Sequence, residues 1–580
     1  MTHELCNGFA RSVIRKEIGV ISAATVVSFW LTFCGNSSVL TNRLIKEVAV
    51  SGEARSRYYI TTSIPYVNAP PHIGHALEMV QTDVFARYHR LLDIDTRFLT
   101  GTDENSLKNV QAAESEGITT RELVDRNAQG FFDLLDLLHV DNDDFIRTAV
   151  DPRHFAGAAH FWKKLEEKGD LYKKSYEGLY CVGCEQFYTE AELVDGLCPD
   201  HGVRPDLIQE ENYFFRLSSY QDELLEFIDS GRMRIIPESR RNEVRSFVAQ
   251  GLDDLSVSRS RERARGWGVP VPGDPDQVMY VWVDALANYI TALGYGQDDE
   301  LYDKFWVNSP DRVHCIGKGI LRFHAVYWPA MLLSAGEPLP TTVFVHGYLT
   351  IAGGKISKSL GNTVDPVELC ASYGADAVRY WLLREVPATL DADYTNDKLE
   401  RRYNADLAND LGNLLNRTIS MVGRYRKGMV PAVNTVLDES RDLKAIAEAL
   451  PDQLHEAMGK NYDPQAALAA INQLVVRANR YVEEMAPWAV SKEERKGDES
   501  ATAKLDETLS HLVESLRITC HAIRPFLPAA SHRMSEQLGF ELIDNGWTNA
   551  LQWGAEPRVK RVEKAKPIFP RIETEAAVAE

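Results

Sequence analysis

The chain is predicted to be an α/β protein, in which a parallel-sheet domain is split by an insertion and followed by a helical domain. Short apolar or β-branched segments alternate with helical patterns up to about residue 345, a cysteine-bearing segment interrupts them, and strand patterns stop near Asn396. The predicted strands are Tyr58–Ile64, Arg97–Thr100, Val278–Val283, Arg312–Ile316 and Thr342–Val345. Amphipathic periodicity predicts long helices over Asn404–Tyr425 and Ala501–Ile523.

The composition of the chain excludes several classes of protein. With 580 residues, 44% of them hydrophobic, the chain can bury several cores, and it is not fibrous, low-complexity or wholly disordered. A net charge of −20 excludes a uniformly basic nucleic-acid coat, but it allows a local basic groove. Eight cysteines are too few for a disulfide scaffold and favour a reducing compartment.

The N-terminal 56 residues are interpreted as an extension that is not part of the fold. Ile18–Cys34 is apolar and follows basic residues, as in a targeting segment, but Glu4 and Glu17 are unusual for a transit peptide. No other stretch is long and apolar enough to span a bilayer, so no stable membrane association is expected. The expected location is cytoplasmic, or a mitochondrion or plastid if the extension is a transit peptide.

The predicted domain boundaries follow from these patterns. The sheet domain covers 57–168 and 256–345, the insertion 169–255, a loop region 346–395, the helical domain 396–540 and a tail 541–580. The charged residues after Arg558 are expected to dock only loosely.

Two short motifs are typical of phosphate binding. Pro70 and Pro71 open a helix with apolar positions Ile73, Leu77, Val80 and Val84, and its start carries His72, Gly74 and His75. Free N–H groups and the dipole attract anions there. Lys355 and Lys358 flank Ser357 on a glycine-rich segment that suits transient neutralisation of a polyphosphate. Alone, either motif could be a chance sequence or a solvated loop.

Four spaced ligands predict one structural zinc ion. Cys181 and Cys184 are followed after thirteen residues by Cys198 and His201. Two such pairs make a closed tetrahedral site without an open coordination position. Buried reduced cysteines are the alternative.

Together the two phosphate motifs resemble the HIGH and KMSKS signatures of class I aminoacyl-tRNA synthetases. Within that class the chain resembles methionyl-tRNA synthetase from Tyr58 to about Trp488. The resemblance is carried by SIPYVNAPPHIGHALE, FLTGTDE, YCVGCEQFY, YVWVDALANYI, HCIGKGILRFHAVYWPA and APWAV. It implies a Rossmann-like catalytic domain split by a zinc-knuckle insertion, a signature-loop and stem-contact region, and a helical anticodon-binding domain.

The resemblance also implies roles for individual residues. His72, His75, Lys355 and Lys358 would be catalytic, and they would bind ATP with its Mg²⁺ together with Gly74, Lys318 and Ser357. The methionine-binding residues would be Ile64, Tyr66, Asp103, Trp282, Leu286, Tyr289, His324 and Trp328, with the Ile64 N–H and the Tyr289 hydroxyl facing the sulfur and Asp103 pairing with the ammonium. Asn413, Arg417 and Trp488 would read the anticodon of tRNA(Met). Periodicity alone would make the aromatic residues core residues and Asn413 and Arg417 surface residues.

Two departures from the family pattern bear on activity. Asn105-Ser106 replaces the usual His-Gly, and Gly319 replaces an aspartate, for which a neighbour such as Asp284 is expected to compensate. A catalytically silent tRNA-binding paralogue therefore remains an alternative. Another class I synthetase for an aliphatic amino acid would carry a larger editing insertion, and a small-molecule adenylyltransferase would not need the helical domain.

Two further expectations concern partners. Arg259, Arg261, Arg263 and Arg265 form a basic run that is either a solvated face or a contact with tRNA phosphates. The chain ends soon after Pro570, without the C-terminal dimerisation domain of many relatives, so a monomer is expected.

Overall fold

A six-stranded parallel sheet forms the centre of the fold. The computed structural model describes residues 56–183, 186–199, 202–297, 300–351, 353–355 and 363–572, so almost all of the predicted extension lies outside them. The strands are β1 (Arg57–Thr61), β2 (Asp95–Thr102), β3 (Asp144–Arg147), β4 (Arg234–Ile236), β5 (Asp311–Gly317) and β6 (Thr342–His346). Their order is β3-β2-β1-β5-β6-β4, so the strand order reverses between β1 and β5. In such sheets ligands bind beyond the carboxyl ends of the strands at this reversal.

Helices cover both faces of the sheet. The helix α1 (Ile73–Leu91) follows β1, and its predicted apolar positions Ile73, Leu77, Val80 and Val84 are all buried. Two further helices of this half are α2 (Val281–Thr291) and α3 (Ala375–Arg384). The half also contains the helices Leu107–Glu116, Thr120–Leu137, Pro152–Lys168, Gln221–Asp229, Glu238–Ala249, Trp328–Ala335 and Pro366–Tyr373. The two faces contribute to separate cores, and the α1 face shares its core with the C-terminal helices.

The insertion is an antiparallel sheet with a different boundary from the predicted one. Its strands are Leu171–Cys181, Gln186–Tyr188, Asp206–Phe215 and Leu255–Ser256. The predicted range of the insertion, 169–255, wrongly includes β4. This strand pairs in parallel with β6 and so belongs to the central sheet.

One predicted strand is wrong. Val278–Val283 is not part of the parallel sheet: Asp274–Met279 is an antiparallel strand between Ser258–Ser260 and Pro270–Val271, and α2 begins at Val281. The run is apolar because every residue of α2 is buried, which gives the same sequence pattern as a buried strand. A last small sheet joins Leu349–Ile351, Gly354–Lys355 and Ala392–Asp393.

The C-terminal part is helical, as predicted. Its helices include α4 (Asn413–Arg426) and α5 (Pro487–Glu494), and the others are Asn396–Arg402, Asp438–Leu454, Pro464–Met485, Glu499–Ile523, Pro528–Leu538 and Trp547–Ala550. Among the described residues, no helix has the length and apolarity needed to cross a membrane.

The tail packs more firmly than predicted. Val559, Val562, Ile568 and Phe569 are buried, and the Tyr403 hydroxyl donates to the Pro570 carbonyl at 2.8 Å. The expectation of a loosely docked tail is therefore wrong for residues 559–572. Four apolar side chains among charged ones are enough to hold the segment against the helices.

Candidate active site

A cavity of about 580 Å³ opens where the strand order reverses. The segments after β1 and β2, the start of α1, the buried helix α2 and the turn after β5 form its walls. Its lining residues are Ser63, Ile64, Pro65, Tyr66, Asn68, Ala69, Pro70, His72, His75, Asp103, Lys108, Trp282, Ala285, Leu286, Tyr289, Ile320, His324 and Tyr348. Seven of the eight residues predicted to bind methionine thus line one cavity together with His72 and His75, which were predicted to bind ATP.

The start of α1 presents two oriented imidazoles to this cavity. His72 is the N-cap, its Nδ1 accepts from the Gly74 N–H at 3.1 Å, and the His75 Nδ1 accepts from the His72 N–H at 3.1 Å. Because each Nδ1 is an acceptor, each neutral ring carries its proton on Nε2. The two rings stack at 3.9 Å, so a pair of N–H donors lies at the positive end of a helix.

Gly74 is required for a reason that the sequence did not reveal. A Cβ on Gly74 would lie 2.9 Å from Cε1 of His72 and 3.0 Å from its Nδ1. Any side chain would therefore push the imidazole out of its capping position.

Aromatic side chains form the other end of the cavity. Trp282 stacks on Phe323 with ring centroids 3.7 Å apart, and the Tyr289 Oη lies 2.7 Å from Nε2 of His324. The His324 Nδ1 lies 2.9 Å from the Ile320 carbonyl, which can only accept, so the proton is on Nδ1 and the Tyr289 hydroxyl donates to Nε2. Burial lowers the pKa of His324 to about 4, in keeping with a neutral ring. The single hydroxyl proton of Tyr289 is thus engaged, and only its oxygen lone pairs can face a ligand.

Asp103 supplies a buried carboxylate to the cavity wall. Its side chain is 1% exposed and accepts from the Asn105 N–H at 3.2 Å. The Asn105 amide donates to Asp284 at 2.8 Å, and His154 contacts the other Asp284 oxygen at 2.5 Å. Asp284 is therefore committed within this network, and Asn105, one of the two departures, holds the segment that carries Asp103.

The second departure lies beside a tyrosine. A Cβ on Gly319 would overlap the hydroxyl of Tyr348. Lys318 lies with its Nζ 2.5 Å from Asp391 and 4.8 Å from the Tyr348 ring centroid. Tyr348 thus occupies the space next to Gly319, and compensation by a neighbour such as Asp284 stays a prediction.

The described residues that flank the lysine segment lie near the same end of the cavity. The strand Gly354–Lys355 extends from the sheet beside Tyr348, and the Ile73 N–H at the start of α1 donates to the Val364 carbonyl at 3.2 Å. The chain on both sides of the segment therefore returns to the site. Ser357 and Lys358 lie outside the described residues, as does the Lys355 side chain.

Trp328 is the one predicted methionine residue that does not line the cavity. It is fully buried behind Tyr289, with ring centroids 6.2 Å apart, and it also packs on Phe161. The sequence analysis in turn missed the lining residues Lys108 and Tyr348. Lys108 lies 4.5 Å above the Tyr66 ring, and no sequence motif marks either residue.

Half of the predicted zinc set can be compared with the structure. Cys181 and Cys198 are both 1% exposed and share a small cluster with Tyr188. The Cys198 carbonyl accepts from the Gly202 N–H at 2.8 Å. Two buried sulfurs in so small a core fit a structural metal, whereas Cys184 and His201 lie outside the described residues.

The predicted anticodon residues occupy the surface of the helical domain. Trp488, on α5, is 41% exposed, and the Arg417 guanidinium lies 5.7 Å from its ring centroid. Arg417 also pairs with Glu483 at 2.7 Å. Asn413 is exposed one turn earlier on α4, so a flat ring, a guanidinium and an amide share this part of the surface.

The basic run is not a uniform solvated face. Arg259 is 7% exposed and lies 4.0 Å from the Tyr280 ring centroid, and Arg263 pairs with Glu210 at 3.3 Å. These two residues join the insertion to the sheet domain. Only Arg261 and Arg265 are exposed, and Arg265 contacts Glu114.

Comparisons with known proteins agree with this geometry. The model of the class I tRNA synthetases (M) matches residues 58–205 and 200–419, and that of the anticodon binding domain of methionyl tRNA ligase matches 430–577. A methionine–tRNA ligase of Caldanaerobacter subterraneus subsp. tengcongensis is 45% identical over 90% of the chain and 80% of its own length. That of Brucella suis is 44% identical over 89% and 98% respectively.

Solved structures give the same result. Mycobacterium tuberculosis methionyl-tRNA synthetase in complex with methionyl-adenylate superposes with a TM-score of 0.84 and 42% identity, over 89% of this chain and all of that chain. Its apo form gives 0.78 and 39%, over 90% and 99%. The cavity at the strand reversal, the start of α1 and the helical domain all lie within the matched regions, and the chain belongs to the methionyl-tRNA synthetases, the class I ligases that join methionine to tRNA.

Proposed function

We propose that the cavity activates L-methionine with ATP, and that the helical domain selects tRNA(Met). The observation that carries this proposal is that the start of α1 and the aromatic residues line one cavity, and that Val364, just after the lysine segment, accepts a hydrogen bond from the Ile73 N–H at the start of α1. An aromatic, neutral pocket suits a thioether, and helix-terminal N–H donors suit phosphate oxygens.

In the first step the methionine carboxylate attacks the α-phosphorus of ATP, and the bond to pyrophosphate breaks. Trp282, Tyr289 and His324 would hold the side chain, with Ile64, Tyr66 and Leu286 closing the pocket, while the Asp103 carboxylate would pair with the ammonium group. The Nε2 protons of His72 and His75 would bind phosphate oxygens as charge develops on them. Lys355 and Lys358 would neutralise the departing pyrophosphate, with Lys318, Ser357 and the Gly74 backbone holding the nucleotide.

In the second step a ribose hydroxyl of the terminal adenosine of tRNA attacks the carbonyl carbon of the adenylate, and AMP leaves. Recognition of the tRNA would take place at Asn413, Arg417 and Trp488. Unstacked bases bind to flat rings and to planar polar groups.

One zinc ion would be held by Cys181, Cys184, Cys198 and His201, and it would fix the fold of the insertion. Mg²⁺ would accompany ATP, bound to its phosphates. A monomeric state and a cytoplasmic location stay predictions.

The experiment combines two assays, methionine-dependent pyrophosphate–ATP exchange and tRNA charging. Lys358→Ala should lower the exchange rate roughly 10²–10³-fold, the scale for losing one transition-state donor, with little change in methionine binding. Lys496→Ala, which removes an exposed lysine of the helical domain, is the matched control and should retain activity. Full exchange activity in Lys358→Ala would refute the role of the loop. A wild-type chain that binds tRNA but catalyses no exchange would be the silent paralogue.

A further inference from the structure

We propose that the Tyr348 hydroxyl binds a ribose hydroxyl of the nucleotide, and that Gly319 lacks a side chain so that Tyr348 can do so. The inference rests on the proposed activation of methionine with ATP. It names a binding residue that no sequence motif marked.

Gly319 and Tyr348 compete for one volume. An ideal Cβ built on Gly319 overlaps the Tyr348 hydroxyl, whereas the next atom of the ring, Cζ, is 3.4 Å away, an ordinary van der Waals distance. The conflict thus comes from the hydroxyl oxygen alone. A side chain at residue 319 therefore requires the Tyr348 hydroxyl to leave this position.

The Tyr348 ring is held in position from the side of Lys318. Its backbone N–H donates to Asp391 at 2.9 Å, and the same carboxylate contacts the Lys318 Nζ at 2.5 Å. That ammonium group lies 4.8 Å from the ring centroid. The carboxylate therefore holds the backbone of Tyr348 and the ammonium group contacts its ring, and Tyr348 lines the cavity together with Ile320.

Tyr348 is also tied to the helix that carries the two histidines. Two residues before it, the Nε2 of His346 lies 2.8 Å from a carboxylate oxygen of Glu78. Glu78 is one turn after His75 on α1. The Tyr348 wall and the proposed phosphate donors are therefore held on one framework.

The position and chemistry of Tyr348 favour the sugar. The aromatic end of the cavity fits the methionine side chain, and the ribose is joined directly to the phosphate that His72 and His75 would bind. The sugar therefore has to lie against a wall near these histidines. A phenol is neutral at pH 7 and can both donate and accept, which suits a ribose hydroxyl.

The test compares the binding of ATP with that of 2′-deoxy-ATP and 3′-deoxy-ATP by calorimetry. The deoxynucleotide that lacks the hydroxyl contacted by Tyr348 should bind wild-type protein about five- to tenfold more weakly than ATP, which is the effect expected from the loss of one hydrogen bond. Tyr348→Phe should bind ATP that much more weakly, should no longer distinguish ATP from that deoxynucleotide, and should keep its methionine affinity. The matched control is Tyr295→Phe, whose hydroxyl contacts Glu337 outside the cavity and whose loss should not alter the nucleotide preference.

A second pair of variants uses the steric conflict. Gly319→Asp should weaken ATP binding, because its side chain displaces Tyr348. In Tyr348→Phe/Gly319→Asp the overlapping oxygen is gone and a carboxylate can accept from the sugar, so ATP binding should recover at least tenfold over Gly319→Asp alone.

The inference is overturned if wild-type protein does not distinguish the deoxynucleotides, if Tyr348→Phe keeps the wild-type preference, or if the double variant binds ATP no better than Gly319→Asp. Absence of methionine-dependent exchange, with these binding preferences intact, would instead refute only the proposed function.

Discussion

Replacing Arg379 by methionine should break a buried, multiply hydrogen-bonded contact between the sheet domain and the helical domain. Arg379, on α3, is fully buried and donates to the carbonyls of Leu138, Pro525 and Phe526 at 3.0, 3.1 and 2.8 Å. It also donates to the Asp83 carboxylate of α1 at 2.7 Å. Methionine has a similar length but no donor, so the change removes these bonds without leaving a large cavity.

The loss in free energy of unfolding depends on the buried polar groups that lose their partner when Arg379 is replaced. Removing one partner of a buried ion pair costs about 3–5 kcal/mol. Asp83 keeps Arg87 at 2.9 Å and the Asp141 N–H at 2.8 Å, so its charge stays compensated. The remaining cost comes mainly from three carbonyls, which points to the lower end, about 3 kcal/mol.

The assay is urea unfolding at pH 7, followed by tryptophan fluorescence and by far-UV circular dichroism. The control is Arg126→Met, which removes an ion pair with Glu116 whose side chains are 53% and 45% exposed and should cost less than about 1 kcal/mol. Equal losses in the two variants would refute the reasoning. In folded protein, Arg379→Met should lower tRNA charging more than pyrophosphate exchange, because the contact joins α1 to the helical domain.

Three further predictions address the tRNA surface, acid stability and the metal. Trp488→Ala should lower kcat/KM for tRNA by roughly one to two orders of magnitude, the effect expected from losing the stacking of one base, while pyrophosphate–ATP exchange stays normal. Equal loss in both assays would instead indicate that Trp488 has a packing role. Burial lowers the pKa of His89 to about 4, so the folded state resists a proton that the unfolded chain accepts near pH 6.5, and stability should fall as the pH drops through this window. Between pH 7 and pH 5 the loss is about 2 kcal/mol for this residue, and His89→Gln should flatten the unfolding-versus-pH curve by that amount; an unchanged curve would contradict it. Purified protein should contain about one zinc ion per chain, which Cys198→Ser should lose and Cys520→Ser, altered in a different buried core, should keep; a metal-free wild-type chain would remove the zinc proposal.

Four strands of the parallel sheet and the helix α1 could be predicted because their signals are local. Proline, a histidine N-cap and apolar residues at helical spacing lie within a few turns of each other at the start of α1. The strands β3 and β4 were missed because four and three residues carry too little pattern. The assignment of Val278–Val283 failed because a helix buried on all sides and a buried strand have equally apolar sequences.

The candidate site likewise contains residues that could be predicted from the sequence and residues that could not. The histidines, Asp103 and the aromatic residues were found through a family resemblance, and most of them line one cavity. Trp328 lies behind the cavity wall, as an aromatic residue one turn from a cavity residue can, and its contact with methionine stays a prediction. The Gly319–Tyr348 pair and the network of Asn105, Asp284 and His154 could not be predicted, since they join segments that are far apart in the sequence.

The most direct test of the central claim is pyrophosphate–ATP exchange by the wild-type chain, measured with each of the twenty amino acids in turn. A cavity with a neutral aromatic end, an acidic group for the ammonium and N–H donors for phosphate predicts exchange with methionine and with no other amino acid at comparable kcat/KM. Exchange with a different amino acid, or none with methionine, would contradict the account.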